Sequence, residues 1–164
     1  MVEIVDVVIR NANDQDLEAM EWEGEYRRYR RLYKMALDEA RLGRRIVLVA
    51  ETGGRLIGQI LVQLGRADSD GTGYLYAFRV RPAWRNQGIG TRLIQEAEAC
   101  LVRLGCRRAL IAVAKDNPSA RRLYERMGYG HYADDPGEWS FTDDIGHLQH
   151  IFEPSWLMER ILSP

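Results

Sequence analysis

The chain of 164 residues is 46% hydrophobic and 29% charged, with 15 glycines and 5 prolines, which is typical of one compact domain over residues 1–164. Its 23 basic and 24 acidic residues give a net charge of -1, so no overall positive field favours nucleic acid or an anionic membrane as partner. The longest apolar runs are too short to cross a bilayer, and Glu3 and Asp6 argue against a signal peptide, so we expect a cytoplasmic protein.

The first part of the chain predicts a strand, two helices and an antiparallel pair of strands. Val5–Arg10 is rich in β-branched residues and suits an edge strand, and Asn13–Asp14 is typical of a cap that opens a helix. Aromatic and aliphatic residues recur at helical spacing through Trp22–Leu42, which predicts a second helix. Arg45–Glu51 and Arg55–Leu64 predict two strands joined by a glycine-containing hairpin turn.

The central part predicts alternating strands and helices, the pattern of an α/β fold. A strand is predicted over Gly73–Val80, followed by a long amphipathic helix over Gly90–Leu104. Arg107–Ala114 is almost entirely apolar, which predicts a strand buried on both faces. Another helix is predicted over Pro118–Met127.

The last part of the chain carries weaker signals. Leu148–Phe152 is predicted as the last strand, and Trp156–Leu162 as a short amphipathic tail. Cys100 and Cys106 fit neither a redox pair nor a zinc site, so we expect packing thiols, with a disulfide as the alternative.

The turn Arg85–Gly90 lies between a predicted strand and a predicted helix. Successive main-chain N–H groups and a helix N-terminus form a positive concavity there that suits a phosphate. An ordinary tight turn is the alternative for so short a pattern. A Rossmann dinucleotide turn is not favoured because Leu93 replaces the third glycine, and a P-loop is excluded because no Gly-Lys-Ser/Thr is present.

Two ordered motifs, over Val80–Leu93 and Asn117–Tyr129, resemble those of the GNAT acetyltransferase superfamily. Val80–Leu93 resembles the family's acetyl-CoA motif, V-x-P-x-x-R-x-x-G-x-G-x-x-L, and Asn117–Tyr129 resembles its second motif, N-x-x-A-x-x-L-Y-x-x-x-G-F/Y. The order of predicted elements also fits, although the similarity after Tyr129 is only architectural. The resemblance implies a GNAT-type α/β fold, in which a mixed, mostly antiparallel sheet with splayed fourth and fifth strands is flanked by helices.

The same resemblance implies how acetyl-CoA binds, without a metal. Asn117 would reach the pantetheine arm, and Tyr124 would lie near the sulfur as general acid to the leaving thiolate. The pantetheine would also bond to the main chain of the splayed strand at Phe78, Arg79 and Val80. The pyrophosphate would be held by the turn and the start of the helix, at Arg85, Asn86, Gln87, Gly88, Ile89, Gly90 and Thr91.

The role implied for Tyr124 agrees with its chemistry. A phenol with an ordinary pKa of about 10 stays protonated at neutral pH and can donate a proton. The alternative is a core aromatic residue that packs beside Ala120, four positions earlier on the same predicted helix.

The general base is where this sequence departs from its relatives. Many of them carry a glutamate on the strand before the phosphate turn, but residues 74–80 contain no carboxylate, and the other usual position is Ala112. We therefore expect a water relay to a more distant group. Five residues are candidates, each with an ordinary surface role as the alternative: Glu51, His131, Glu138, His147 and His150.

Aromatic and basic residues near the first predicted helices are candidates to contact the acceptor. In the family this region and the last strands wall the acceptor pocket, so Trp22, Tyr26, Tyr29 and Trp139 are candidates to line it, with core packing as the alternative. The arginine-rich run 27–31 suggests an acidic acceptor or nucleic acid, but neighbouring glutamates neutralise it, which favours a solvated helix face.

The sequence thus predicts an N-acetyltransferase that moves the acetyl group of acetyl-CoA to a primary amine by direct attack in a ternary complex. A catalytically silent CoA-binding or sensor domain is one alternative, and an enzyme that modifies protein N-termini or lysines is another. The acceptor, a small molecule or a protein amine, is left open, as is the choice between a monomer and a homodimer.

Overall fold

The computed structural model describes residues 6–65 and 71–163, which form two β-sheets. The larger sheet has seven strands in the order β1-β2-β3-β4-β5-β9-β6, and the smaller sheet pairs β7 with β8. Neighbouring strands are antiparallel except β4 and β5, which run parallel. The strands are β1 Val8–Asn11, β2 Arg45–Thr52, β3 Arg55–Leu64, β4 Thr72–Val80, β5 Arg108–Ala114, β6 Gly130–Asp135, β7 Glu138–Thr142, β8 Leu148–Phe152 and β9 Ser155–Ile161.

The helices lie on both faces of the larger sheet and divide its core in two. Within the described residues they are α1 Leu17–Met20, α2 Arg30–Arg41, α3 Ile89–Arg103 and α4 Pro118–Arg126. Helices α3 and α4 contribute to one hydrophobic cluster, in which Leu93 and Leu101 are fully buried. Helices α1 and α2 cover β2, β3 and β4 in the other cluster, which contains Met20 and Leu37. None of these helices is both long and apolar enough to cross a membrane.

Strands β4 and β5 pair over only part of their length. The register runs from Thr72 opposite Arg108 to Leu75 opposite Ile111. Beyond that point β4 follows β3, and β5 follows β9. The register of β4 against β3 shifts at a bulge where Ala77 has a φ of +49°. Because bulges bend a strand and increase its twist, β4 turns away from β5 and a gap opens between them.

The predicted fold class is confirmed, including the splayed fourth and fifth strands. The predicted hairpin forms β2 and β3, and its turn requires the left-handed backbone that Gly53 (φ +56°) and Gly54 (φ +79°) supply. Asn13 caps the first helical turn as predicted, because its side chain accepts a hydrogen bond from Gln15 N. The predicted edge strand is shorter, since β1 begins at Val8, and Val5 lies outside the described residues.

The prediction of one helix over Trp22–Leu42 is wrong. Residues 22–24 all have positive φ, and α2 begins only at Arg30, after a 3₁₀ turn. The cause is tertiary, because the Trp22 ring lies 4.8 Å from the guanidinium groups of both Arg79 and Arg81. These contacts with β4 and the residue after it hold the chain in a turn that local periodicity does not encode.

Predictions for the later strands need three corrections. Strand β5 was predicted to be buried on both faces, but buried and half-buried residues alternate along it. The reason is that α1 and α2 extend only over β2 to β4. The predicted tail at Trp156–Leu162 is strand β9, which lies between β5 and β6 and pairs with both. Leu148–Phe152 is a strand, β8, but not the last one, and β6 and β7 precede it unpredicted.

Candidate functional site

The gap between the diverging halves of β4 and β5 is where the two sequence motifs meet. Phe78 and Val80 lie on β4 beyond its last pair with β5. Tyr124 lies on α4, which follows β5, and its ring centroid is 6.2 Å from that of Phe78. An aromatic residue from each side of the gap therefore contacts the other.

Tyr124 combines a buried ring with a hydroxyl that no other described residue binds. The residue is 6% exposed and packs in the core with Phe78 and Tyr129. Its hydroxyl makes no hydrogen bond to another described residue, so its proton is available to a ligand. Burial raises the pKa of the Tyr124 phenol, which therefore stays protonated at neutral pH.

The turn before α3 presents an uncapped helix N-terminus. Asn86 and Gly88 have φ of +63° and +81°, and the helix begins at Ile89. No side chain of the described residues caps this end, and its first turn contains no acidic residue. The first N–H groups of a helix lack partners within it, and the helix dipole is positive there, so this end of α3 suits a phosphate.

The two glycines of the turn have different surroundings. A Cβ added at Gly88 would have no atom within 4 Å, so this residue leaves the surface beside the helix end open. A Cβ added at Gly90 would lie 2.9 Å from Phe78 Cζ, so this residue lets α3 approach β4. Gly88 therefore belongs to the open cradle, whereas Gly90 belongs to the packing of helix on strand.

Two polar residues of the motifs hold the protein's own main chain. Arg85 Nε donates to the Val80 carbonyl at 3.0 Å, which fixes the turn to the end of β4. Asn117 caps α4, with its Oδ1 accepting from Ala120 N at 3.2 Å. The Nη groups of Arg85 and the Nδ2 of Asn117 have no protein partner within the described residues and can bind a ligand. The remaining turn residues are exposed at Asn86 and Gln87, buried at Ile89 and half-buried at Thr91.

Arg79 extends to the opposite face of the sheet from α3. Its guanidinium contacts Met20 of α1, Tyr33 of α2 and Gln59 of β3. The resemblance grouped Arg79 with the cofactor-binding residues, but its side chain lies on the α1–α2 side of the gap. Only its main chain, paired with Gln59 in the register of β3 and β4, lies beside Phe78 and Val80.

The five candidate bases make other contacts or lie on the surface. None of these five residues makes a hydrogen bond or ion pair with Tyr124. The acidic residue Glu21, which the sequence did not single out, is buried near this side but is held by both Nε and Nη2 of Arg30 at 2.7 Å. The five are Glu51, paired with Arg10; His131, bonded to Asp134; His150, bonded to Ser140; and the exposed Glu138 and His147.

A continuous aromatic cluster lies on the α1–α2 side of the sheet. The structure brings together the four residues that the sequence proposed and adds Tyr33 and Phe141. Phe141 lies 4.9 Å from Tyr29, so the β7–β8 sheet contacts the residue just before α2. The alternation of apolar and polar residues over 138–142 was the sequence signal for this strand. We call these six residues the aromatic cluster: Trp22, Tyr26, Tyr29, Tyr33, Trp139 and Phe141.

Residues 6–65 and 71–163 contain no group of three or more histidine, cysteine, aspartate or glutamate side chains placed to hold a metal ion. Cys100 and Cys106 are free thiols, both half-buried, as predicted.

Comparison with known families identifies the source of both motifs. Residues 9–129 match the sequence model of a family described as the acetyltransferase (GNAT) family. The match runs from β1 to the end of the second motif and contains the gap, the turn before α3 and Tyr124.

Solved structures share the fold over nearly the whole chain. The ribosomal-protein-S18-alanine N-acetyltransferase from Escherichia coli superposes with a TM-score of 0.74 at 18% identity, covering 97% of this chain and 96% of that chain. YncA from Salmonella typhimurium, solved with its cofactor acetyl-CoA, superposes with a TM-score of 0.75 at 18% identity. The match covers 97% of this chain and 95% of that chain. PaiA N-acetyltransferase from Thermoplasma acidophilum, in complex with coenzyme A, superposes with a TM-score of 0.69 at 17% identity. The match covers 95% of this chain and 99% of that chain. At these identities the likeness establishes the shared fold.

Proposed function

Because the chain belongs to the GNAT family of acetyltransferases, we propose that it transfers the acetyl group of acetyl-CoA to a primary amine by direct attack in a ternary complex. The observation that supports this proposal is the contact of Tyr124 with Phe78 across the gap between β4 and β5. This contact supports a role for the protonated phenol beside a thioester that lies in the gap. We assign the reaction to the cytoplasm, the location expected from the sequence.

Acetyl-CoA fits the gap and the turn beside it. We propose that its pantetheine arm bonds to the main chain of Phe78 and Val80, where β4 has left β5, and to Nδ2 of Asn117. The pyrophosphate would accept hydrogen bonds from the N–H groups around Gly88, at the uncapped N-terminus of α3. The free Nη groups of Arg85 would add positive charge at the same place.

The chemistry needs one proton removed and one supplied. The neutral amine attacks the thioester carbonyl, the carbon–nitrogen bond forms, and the carbon–sulfur bond breaks. Tyr124 donates its phenolic proton to the departing thiolate, and its raised pKa keeps that proton in place at neutral pH. Residues 74–80 provide no carboxylate, so the proton lost by the amine passes to water, and water returns a proton to the Tyr124 phenolate to complete the cycle.

Release of free CoA thiol tests the proposed function directly. The full chain is incubated with acetyl-CoA and a panel of small primary amines and amine-bearing peptides, and thiol release is followed against an amine-free control. We expect amine-dependent release. Binding of acetyl-CoA without release for any acceptor would contradict the proposal and identify a silent CoA-binding domain. Release with peptides but not small amines would assign the protein to the modification of protein amines.

A further inference from the structure

Arg79 is a half-buried cation whose protein partners are all neutral. Its Nη1 donates to Tyr33 Oη at 2.6 Å, and its Nη2 donates to the Met20 carbonyl at 2.6 Å and to Gln59 Oε1 at 3.1 Å. The guanidinium lies 3.5 Å from the centroid of the Tyr26 ring. No carboxylate among the described residues forms an ion pair with it.

Neighbouring arginines show what Arg79 lacks. Arg30 is paired with the buried Glu21 at 2.7 Å, and Arg81 is paired with Glu23 at 2.9 Å. The Nε of Arg79, by contrast, is enclosed and has no hydrogen-bond partner in the described part of the chain. Removing a cation from water is costly unless an opposite charge compensates it, so an anion that reaches the Nη groups would stabilise this guanidinium further.

More positive charge lies against the same aromatic cluster. Of the four arginines in the run 27–31, one forms an ion pair within the described part of the chain, and Arg28 lies 4.7 Å from an aromatic ring centroid. Asp143 of the β7–β8 turn accepts hydrogen bonds from two main-chain N–H groups and from Gln149 Nε2. Arg28 thus adds a second guanidinium beside the aromatic cluster, and no carboxylate among the described residues pairs with it.

The position of Arg79 connects this charge to the proposed reaction. Successive residues of a strand point to opposite faces and are about 3.3 Å apart along it. Phe78 contacts Tyr124 on the α3–α4 side of the gap, while Arg79 reaches the α1–α2 side. An acceptor that approaches the gap from the α1–α2 side therefore passes close to Arg79.

We propose that the acceptor amine carries a carboxylate, which Arg79 and Arg28 recognise beside the aromatic cluster. This inference rests on the proposed acetyl transfer and specifies its substrate class. Arg79 would bind the carboxylate as a specificity residue, while the amine of the same molecule reaches the thioester near Tyr124. The side chain of Arg28 is exposed and can turn toward the same anion.

The aromatic cluster itself disfavours acceptors with additional positive charge. Guanidinium groups already lie over the rings of Trp22, Tyr26 and Tyr29. A second cation would find these faces occupied and would be repelled by the arginines. Polyamines and lysine-rich peptides are therefore poor candidates, even though their amines are abundant.

Matched acceptors test the proposal on the unmodified protein. The probes are 4-(2-aminoethyl)benzoate and 4-(2-aminoethyl)benzamide, which share an amine and an aromatic ring and differ in charge at the far end. We expect kcat/KM to be at least about tenfold higher for the benzoate, the scale of one charge-assisted hydrogen bond. Calorimetric binding of each probe to the CoA-loaded protein should show the same preference and does not require turnover.

Three variants assign the preference to residues. Arg79→Gln should abolish the preference for the benzoate and Arg28→Gln should reduce it, both without loss of acetyl-CoA affinity. Arg44→Gln removes an exposed arginine next to the distant end of α2 and should leave the preference unchanged. If Arg79→Gln does not fold, the ratio of kcat/KM for the two probes still tests the proposal, measured in the wild-type protein and in Arg28→Gln.

Failure of this inference is distinguishable from failure of the proposed function. Amine-dependent CoA release with equal use of both probes, or with the benzamide favoured, would overturn the carboxylate proposal and leave acetyl transfer intact. If no amine is acetylated, acetyl transfer fails, and equal calorimetric affinities would then reject the anion site as well. A preference that persists in both variants would place the anion elsewhere and overturn the assignment to Arg79 and Arg28.

Discussion

Tyr124 illustrates how one residue can serve both packing and chemistry. Its ring is in the core between Phe78 and Tyr129, and its hydroxyl makes no hydrogen bond to another described residue. The packing interpretation and the catalytic one are therefore compatible. Removing the hydroxyl alone separates them, because the ring contacts remain.

Tyr124→Phe should lower kcat by about 10²–10⁴-fold while acetyl-CoA binding changes little, since a positioned general acid contributes on that scale. Steady-state kinetics and calorimetry measure the two effects. Tyr132→Phe is the matched control, because Tyr132 is 42% exposed on β6 and should turn over at the wild-type rate. Near-wild-type kcat in Tyr124→Phe would leave this residue a packing role only.

Asp16 offers a pH-dependent prediction at the same scale. Arg10 donates to both of its oxygens, at 2.8 and 2.9 Å, which ties β1 to the turn before α1. These hydrogen bonds hold the pKa of Asp16 below its ordinary value. A lowered pKa in the folded state means that the stabilisation is present above the unfolded pKa of about 3.9 and is lost as the pH falls through the folded value.

Asp16→Asn should therefore lower the free energy of unfolding by about 1.5–3 kcal/mol at pH 7, the range for hydrogen bonds to charged groups. The difference in the free energy of unfolding between the variant and the wild type should become smaller below pH about 4, where the wild-type carboxylate becomes protonated. Urea titrations at several pH values measure it. A difference that stays constant from pH 7 to pH 3 would contradict the assignment.

At the scale of elements, α3 depends on glycines at both ends. Gly88 before it and Gly105 after it have the same φ of +81°, and a Cβ at either would meet no atom within 4 Å. Both positions thus require the left-handed backbone conformation that glycine adopts readily. They differ in that the N-terminal end is the proposed phosphate cradle.

Gly88→Ala and Gly105→Ala should both cost about 1 kcal/mol of stability or somewhat more, because alanine is strained at positive φ. Only Gly88→Ala should also weaken acetyl-CoA binding, by at least about tenfold, through displacement of an N–H donor to the pyrophosphate. Thermal unfolding and calorimetry on both variants give the comparison. Equal acetyl-CoA affinities in the two variants would remove the turn from the binding site.

At the scale of the whole molecule, β9 unites the two halves of the larger sheet. It pairs with β5 along seven residues and with β6 on its other side. Met158 of β9 is fully buried in the same hydrophobic cluster as α3 and α4. The end of the chain is therefore part of the core rather than an appendage.

Met158→Ala should lower the free energy of unfolding by about 2–5 kcal/mol, the range for truncating a fully buried aliphatic side chain. Ile161→Ala, on the same strand but 68% exposed, should cost far less. Denaturant titrations of both variants test this. Similar losses in the two would show that β9 contributes little core packing.

The sequence determined the features that short stretches of chain encode. The β2–β3 hairpin, the ends of α3 and α4, and the turn with Gly88 follow from turn residues, caps and periodicity acting within a few positions. The two motifs, with Tyr124 in the second, were likewise visible in the sequence. These features were confirmed because their determinants are local.

Tertiary structure decided what depends on partners distant in sequence. The break at residues 22–24 follows from Arg79 and Arg81, more than fifty positions later. The insertion of β9 between β5 and β6 depends on which strand edges remain unpaired, and periodicity does not specify strand neighbours. That Arg79 has no carboxylate partner within residues 6–65 and 71–163 is likewise a property of the folded chain, because the acidic residues beside Trp22 in sequence pair with other arginines in space.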